Sequence, residues 1–342
     1  MNHSEQPFFS IVIPCRNEER YIGACIRSVI GNGYPQDRYE IWVVDGMSTD
    51  RTPDIVKGLI QESSRVYFLQ NHLQYTPAGL NLGIRRAGGE VIMILGGHAV
   101  LQKGYLQRCE ALLAQFPDVA CVGGIIENVH GDENSEAIGM AMSSPFGVGN
   151  SRFRTGGKAG FVDTVAFGAY RREVFDRCGF FDEDLVRNQD DEFNYRLQLQ
   201  GMKIYFSPEL QSDYYVRTSF LYLWKQFYQY GYWKVYVNRK HKKVTSLRQL
   251  VPLGFVLYLL AVFPVLLAGS GLIWVWAAGI FVYTAISALS AVKAAGITSR
   301  AFGVMYAFLA MHLAYGIGYL EGILQFVILG LPPAGKKMRI TR

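Results

Sequence analysis

The sequence predicts an α/β domain with a mostly parallel sheet, followed by an interfacial helix and about three transmembrane helices. Three observations lead there. Over residues 1–215, short apolar runs alternate with segments of helical period. Over Phe220 to Val237, aromatic side chains and lysines recur at helical spacing. From Gln249 to Val292 there is no charged residue, a run of 44. Half of the 342 residues are hydrophobic, 18% are charged, and the formal net charge is +6. That balance excludes a disordered chain or an acidic tail protein. The organisation expected is a cytosolic domain over 1–215, an amphipathic, basic segment over 216–248, transmembrane helices over 249–335 and a basic tail over 336–342.

The elements follow in order. Phe9 to Pro14 is an apolar run that a proline ends, a buried strand. Glu19 to Ile30 places Tyr21, Ile22, Cys25, Ile26 and Val29 on one helical face. Glu40 to Asp45 is a second strand, ending in a carboxylate. Thr52 to Ile60 is a helix with Ser48, Thr49 and Asp50 as cap candidates. Arg65 to Leu69 is a third strand, and Thr76 to Ala87 a helix that Gly88-Gly89 ends. Glu90 to Leu95 is a fourth strand, Gly104 to Gln115 a helix and Val119 to Gly123 a fifth strand. Alternation of this kind builds βαβ units, whose ligands bind outside the carboxyl ends of the strands. Three groups stand at such ends: Pro14 to Glu18, Asp45 to Asp50 and Gly96 to His98. No G-x-G-x-x-G or P-loop occurs, which argues against an ordinary dinucleotide or ATP-hydrolysing site.

The uncharged run is divided by Ala268-Gly269-Ser270-Gly271, and each half approaches the ~20 residues that cross ~30 Å of hydrocarbon. A third stretch, Ala301 to Gly330, is interrupted only by Glu321. Lys234, Arg239, Lys240, Lys242, Lys243 and Arg248 crowd before the first span and place that side in the cytoplasm. Lys293 and Arg300 lie between the second and third stretches. Lys336, Lys337, Arg339 and Arg342 are basic too, yet three crossings put them outside. Two alternatives stand: a re-entrant third stretch, or a charge bias that is overridden. Met1 to Pro7 is polar and Phe8 to Pro14 is short for a signal peptide, so the first domain is expected to stay in the cytoplasm. Five cysteines without paired spacing fit reduced thiols rather than a zinc site or a disulfide frame.

Several ordered motifs carry a family resemblance. Ile11-Val12-Ile13-Pro14-Cys15-Arg16-Asn17-Glu18-Glu19 and Val43-Val44-Asp45-Gly46-Met47-Ser48-Thr49-Asp50-Arg51-Thr52 resemble the start of family 2 inverting glycosyltransferases of the Rossmann-like GT-A fold. Val162 to Arg172, Arg187 to Leu197 and Gln229 to Lys234 look most like its membrane-bound branch, which resembles succinoglycan-type exopolysaccharide glucosyltransferases. The resemblance covers residues 8–250 and extends into the membrane tail; it is specific for the family and not for the sugar.

The resemblance implies roles residue by residue. Asp45 contacts the uracil-like base, with Pro14, Arg16, Glu18 and Gly97 in the same pocket. Asp50 stands beside it, with a helix N-cap as its simpler role. The acidic pair of the family falls on Gln189-Asp190, so Asp190 is the expected catalytic base, at a helix N-terminus that keeps a carboxylate ionised. Asp163, Gln189, Asp191 and Trp233 are expected on the acceptor side. Asp191 and Glu192 equally suit complementing the helix dipole. The metal motif should follow the fourth strand, where Gly96 stands in place of the first carboxylate. His98 is left as ligand to Mn2+ or Mg2+, or as a contact to the diphosphate, or as a structural histidine. Only part of the Gln-x-x-Arg-Trp motif of processive enzymes is matched by Gln229 to Lys234, which favours single transfers.

The implied activity is inverting transfer of a hexose from a UDP-sugar, UDP-glucose among them. The implied acceptor is a polyprenyl-diphosphate-linked saccharide in exopolysaccharide or surface-glycan assembly. Membrane lipid and other glycan-assembly proteins are the expected partners, nucleic acid is not, and the expected site is the bacterial cytoplasmic membrane. Two alternatives stand beside it: transfer to polyprenyl phosphate itself, with Arg239, Lys240 and Lys242 near the acceptor, and a degenerate transferase serving as a scaffold, which Gly96 favours.

Overall fold

A computed structural model describes residues 6–216, 218–245, 247–267 and 271–333. In chain order the strands are β1 (Phe9–Cys15), β2 (Tyr39–Asp45), β3 (Val66–Gln70), β4 (Val91–Ile94), β5 (Ala99–Leu101), β6 (Val119–Val129), β7 (Gly160–Val162), β8 (Ala166–Arg171) and β9 (Lys203–Tyr215). The helices are α1 (Ile22–Ile30), α2 (Thr52–Glu62), α3 (Thr76–Arg86), α4 (Tyr105–Gln115), α5 (Glu133–Met142), α6 (Pro145–Val148), α7 (Arg152–Thr155), α8 (Glu173–Cys178) and α9 (Gln189–Leu199). They continue with α10 (Phe220–Lys240), α11 (Val251–Leu260), α12 (Val262–Leu267), α13 (Leu272–Ala295) and α14 (Arg300–Gly322), which runs on into a π-helical turn, Ile323–Ile328.

The chain forms two compact units. The first holds the chain up to Asn128 together with Arg152–Tyr215; the second holds Val129–Ser151 and everything from Val216 on. The expected division at 215 is therefore incomplete, because 129–151 leaves the first unit and joins the second.

The first unit is built on one sheet in the order β3-β2-β1-β4-β8-β6-β9-β5, with β7 paired to β9. The four strands β3, β2, β1 and β4 are parallel, as the βαβ pattern requires. The other half is antiparallel: β8 runs against β4 and β6, and β9 against β5 and β7. The mostly parallel expectation thus holds for half of a mixed sheet. β6, read as the fifth strand of the alternation, runs against β8, and β7, β8 and β9 lie beyond the stretch from which the expectation was read.

Central strands read as apolar runs because both faces are covered. Phe9, Ile11, Ile13, Ile41 and Val43 pack with Ile22, Cys25 and Ile26 of α1 and Val56 and Leu59 of α2. Val12, Val44 and Ile92 pack on the opposite side with Leu80 and Ile84 of α3. Gly83 lets α3 approach: a Cβ there would stand 2.5 Å from Val12 Cγ1. Both α2 and α3 open on Thr-Pro, where the missing proline N–H costs the helix nothing.

In the second unit, α5 begins with a reciprocal cap: Asp132 accepts from the Ser135 amide, and Ser135 Oγ accepts from the Asp132 amide. α10 is the helix expected over 220–237, but it does not stand alone in a headgroup plane. Eleven of its residues are buried, among them Gln226, Gln229, Trp233, Lys234 and Asn238. α10 packs along α14 through small residues. A Cβ on Gly231 would lie 2.0 Å from Tyr315 O, and one on Gly318 2.1 Å from Tyr228 O. Asn238 Nδ2 donates to Tyr319 Oη at 2.8 Å, and Tyr232 Oη to Gln325 Oε1 at 2.8 Å. Three segments are long and apolar enough to cross a membrane: Leu247–Leu267, Leu272–Ala295 and Arg300–Ile328. The last is one unbroken helical run, so a re-entrant hairpin is not its form. Residues 268–270, most of the small-residue break, and the basic tail 336–342 lie outside the described residues.

Candidate active site at the carboxyl edge of the sheet

β1 lies between β2 and β4, in register Cys15↔Asp45 and Val12↔Ile94, so the three predicted groups leave the sheet at one edge. Hydrogen bonds lock the first two together. Gly46 N–H donates to Cys15 O at 2.8 Å, and Asn17 N–H to Ser48 Oγ at 2.8 Å. Asn17 Oδ1 accepts the Thr49 amide at 2.8 Å. Thr52 Oγ1 accepts the Glu18 amide at 2.8 Å. Asn17 and Met47 adopt φ of 55° and 59°, left-handed values that the tight exchange between the two loops imposes.

Asp45 is buried, and its carboxylate accepts both the amide and the hydroxyl of Ser48. Those bonds orient the side chain at the strand end. Pro14 and Arg16 are half-buried beside it, and Gly46 leaves room for the Arg16 Cβ and the Gln74 carbonyl. Asp50 is a cap in function: its carboxylate accepts the amides of Thr52, at the start of α2, and of Glu19. Burial raises its pKa, but the hydrogen bonds from Thr52 and Glu19 outweigh that and hold it below its ordinary value.

The third group meets the first through a carboxylate–imidazole contact. His98 Nδ1 lies 3.2 Å from Glu18 Oε1; the Glu18 side chain is 5% exposed and that of His98 19%. The Glu18 carboxylate thereby orients the imidazole ring of His98. His98 also meets the edge of the Tyr214 ring at 4.8 Å. Gly97 is packed closely enough that a Cβ would touch Cys15 Cβ at 3.0 Å. At Gly96 a Cβ would lie 3.2 Å from Phe167 Cε1, a tight but yielding neighbour. Cys25, whose Sγ points at Gly96 O, is pushed up to about 12 by burial and is chemically quiet.

The acidic run opens α9. Asn188, in the left-handed region at φ 62°, turns the chain into the helix. Asp190 is exposed on the first turn, Asp191 is half-buried and Glu192 is buried. Glu192 is structural: both carboxylate oxygens accept from Arg196 Nε, at 2.8 and 3.0 Å, while the rest of that guanidinium holds the Cys178 and Phe180 carbonyls. Behind Asp190, Tyr170 Oη donates to Asn194 Oδ1 at 3.1 Å and Asn194 Nδ2 to Thr164 Oγ1 at 2.8 Å. Burial above all, with the Asp190 carboxylate adding to it, holds the Tyr170 phenol well above its ordinary value, so it stays protonated and donating. Gln198 Nε2 donates to the Asp163 carbonyl at 2.8 Å, tying that loop to α9. Gln189, Asp190 and Asp191 share the first turn of α9, and Asp163 is held at its other end. Trp233 belongs to the second unit, where it is fully buried beside Tyr232 and Tyr236.

Sequence reasoning passed over Asn71, Gln74 and Tyr214. Asn71 follows β3, donates its amide to Asp45 O at 2.7 Å and turns the chain back towards the Tyr75 carbonyl. The rule of strand ends, applied to the third strand, points to it. Tyr214 sits on β9, which carried no signal.

The donors do not assemble a protein-held metal site. Among the described residues no three His, Cys, Asp or Glu side chains gather, and Gly96 supplies none where a carboxylate was expected.

The family described as Glycosyl transferase family 2 matches residues 10–179. A relative from Methanococcus voltae, "Dolichyl N-acetyl-alpha-D-glucosaminyl phosphate 3-beta-D-2,3-diacetamido-2,3-dideoxy-beta-D-glucuronosyltransferase", is 33% identical over 75% of this chain and 81% of its own. Succinoglycan biosynthesis protein ExoA of Rhizobium meliloti is 29% identical over 92% of this chain and 95% of its own. Among solved structures, the mannosyltransferase PcManGT of Pyrobaculum calidifontis, in complex with GDP-Man and Mn2+, shares the fold. Its TM-score is 0.65 at 16% identity, over 93% of this chain and 88% of that one. The chain belongs to glycosyltransferase family 2: it is a glycosyltransferase whose GT-A-like domain is followed by helices with three candidate membrane spans.

Proposed function

We propose that the protein transfers a hexose, with inversion, from a UDP-sugar to a polyprenyl-diphosphate-linked saccharide during exopolysaccharide or surface-glycan assembly. The observation that carries this is the meeting of three strand ends at one edge, with Asp45 oriented by Ser48 and His98 held by Glu18. Asp45 accepts a base N–H. Pro14, Arg16, Glu18 and Gly97 line the nucleotide pocket, and the His98 imidazole contacts the diphosphate. Asp190 accepts the acceptor proton as that hydroxyl attacks the anomeric carbon; the bond to the diphosphate breaks and the nucleotide leaves with the electron pair. Asp163, Gln189 and Asp191 position the acceptor. No step runs through a metal held by the protein alone; Mn2+ or Mg2+ would arrive with the diphosphate.

The relatives' names support a lipid-linked acceptor, since the archaeal protein is named for a dolichyl phosphate carrying a sugar. In this proposal the protein works in the bacterial cytoplasmic membrane with its first unit in the cytoplasm; the apolar helices support membrane attachment. The test is a panel of UDP-sugars followed by protection against heat, then turnover of Asp190→Asn with the protecting donor. We expect one donor to protect, and turnover to fall about 10²–10⁴-fold with UDP affinity unchanged. A loss below tenfold removes Asp190 as base. Labelled lipid formed from polyprenyl phosphate alone would favour the simpler acceptor.

A further inference from the structure

The third long apolar helix differs from the first two. Buried positions make up 6% of the apolar window in each of Leu247–Leu267 and Leu272–Ala295, and 50% in Arg300–Ile328. We propose that only the first two cross the membrane, as a hairpin. α14 then stays on the side where the first span begins, paired with α10 against the lipid surface. The inference rests on membrane association alone and not on the sugar-transfer reading.

The hairpin is visible in its side chains. Phe255 stacks on Tyr283 with ring centroids 4.1 Å apart, and Trp276 Nε1 donates to Tyr258 O at 3.0 Å. Higher numbers on one arm thus face lower numbers on the other, as two antiparallel crossings require. α14 meets this hairpin near the start of the first span. Tyr283 Oη lies 2.9 Å from His312 Nδ1, and a Cβ on Gly316 would lie 2.3 Å from Pro252 O. His312 Nε2 is also 2.9 Å from the Phe146 carbonyl of α6. The hairpin is bare along its length: Val251 and Leu289 are 69% and 72% exposed at one end, Phe263, Leu267 and Trp274 63%, 89% and 78% towards the other. A third crossing helix would have covered part of it.

α14 follows α10 instead, in the same direction. Phe220 packs on Tyr306, Tyr228 on Gly318, Val235 on Gly322 and Tyr236 on Phe326. The end of α14 therefore lies beside the end of α10, where Arg239, Lys240, Lys242 and Lys243 are exposed. Lys240 and Leu247, the first residue of the first span, are seven positions apart in the sequence. Fully extended, that chain reaches about 25 Å, short of the ~30 Å of hydrocarbon. The end of α10, and with it the end of α14, must then share the side on which the first span starts. The composition agrees: α14 and its π turn carry His312, Glu321 and Gln325. Two crossings also remove the conflict over the basic tail, because an even number returns the chain to the basic side. Exposed Phe302, Tyr306, Val327 and Ile328 on the α14 segment, with Leu221, Tyr222 and Lys225 on α10, supply apolar and cationic contacts for an anionic bilayer surface.

The test is sided labelling of single cysteines in the full-length protein with Cys178→Ser. Lys243→Cys, Gly271→Cys and Leu331→Cys are exposed to a membrane-impermeant maleimide in sealed vesicles of each orientation, with labelling in detergent as the total. We expect Leu331→Cys to label from the same side as Lys243→Cys and Gly271→Cys from the other. Labelling of Leu331→Cys together with Gly271→Cys overturns the proposal. Protease protection of an epitope added after Arg342 gives the same decision independently of any cysteine: cleavage from the Lys243 side supports it, and cleavage from the Gly271 side overturns it. Neither readout depends on which donor or acceptor the enzyme uses.

Discussion

His98 shows how a single side chain is prepared. Glu18, almost wholly withdrawn from water, sits 3.2 Å from Nδ1 and so orients the imidazole ring. His98→Ala should weaken UDP binding about 10–100-fold, the worth of one charge-assisted hydrogen bond, as read by calorimetry. The loss is expected with and without Mn2+. A loss confined to the Mn2+ titration would place His98 on the ion instead. Most of these residues were legible in the sequence, because strand ends converge wherever strands run parallel. Asp45, Glu18 and His98 needed only that rule. Glu192 was not legible: adjacent carboxylates look alike until Arg196 is seen to claim one of them.

Among the elements, α2 and the α10–α14 pair make opposite demands. α2 depends on the loop before it, where Asp50 joins the amides of Thr52 and Glu19. Its folded pKa is depressed below 3.8, so its contribution is complete above that value and is lost as the pH falls through the folded one. Asp50→Asn should therefore lower the midpoint of thermal unfolding at neutral pH. The difference from the parent should narrow below pH 3.8, measured by intrinsic fluorescence. The α10–α14 pair depends on bare backbone. Gly231→Ala puts a methyl 2.0 Å from Tyr315 O and should cost about 1–3 kcal/mol, seen as earlier loss of the monodisperse peak on heating. The sequence announced α10 through its aromatic period but not its partner. Nothing in a helical period says that Gly231 and Gly318 face each other, and burial of Trp233 followed from that pairing.

For the whole molecule, the 44 uncharged residues dominate behaviour in solution. Detergent should release the protein from membranes, whereas 1 M salt or alkaline carbonate, which strip surface-bound proteins, should leave it in the pellet; this is checked by sedimentation and immunoblot. The parallel half of the sheet was legible because alternation signals crossovers. The antiparallel half was hidden because its pairings join segments distant in sequence: β7 meets β9 across β8, α8 and α9, and β5 meets β9 from more than a hundred residues away.

The chain visits the second unit between Asn128 and Arg152 before returning to finish the first. Gene surgery must respect that detour. A fragment stopped at Tyr215 would keep α5 while discarding α14, stripping the cover from Ala137 and Ile138 and leaving a sticky amphipath on an otherwise finished sheet. A water-soluble version of the enzyme would instead need residues 129–151 redesigned with a polar surface.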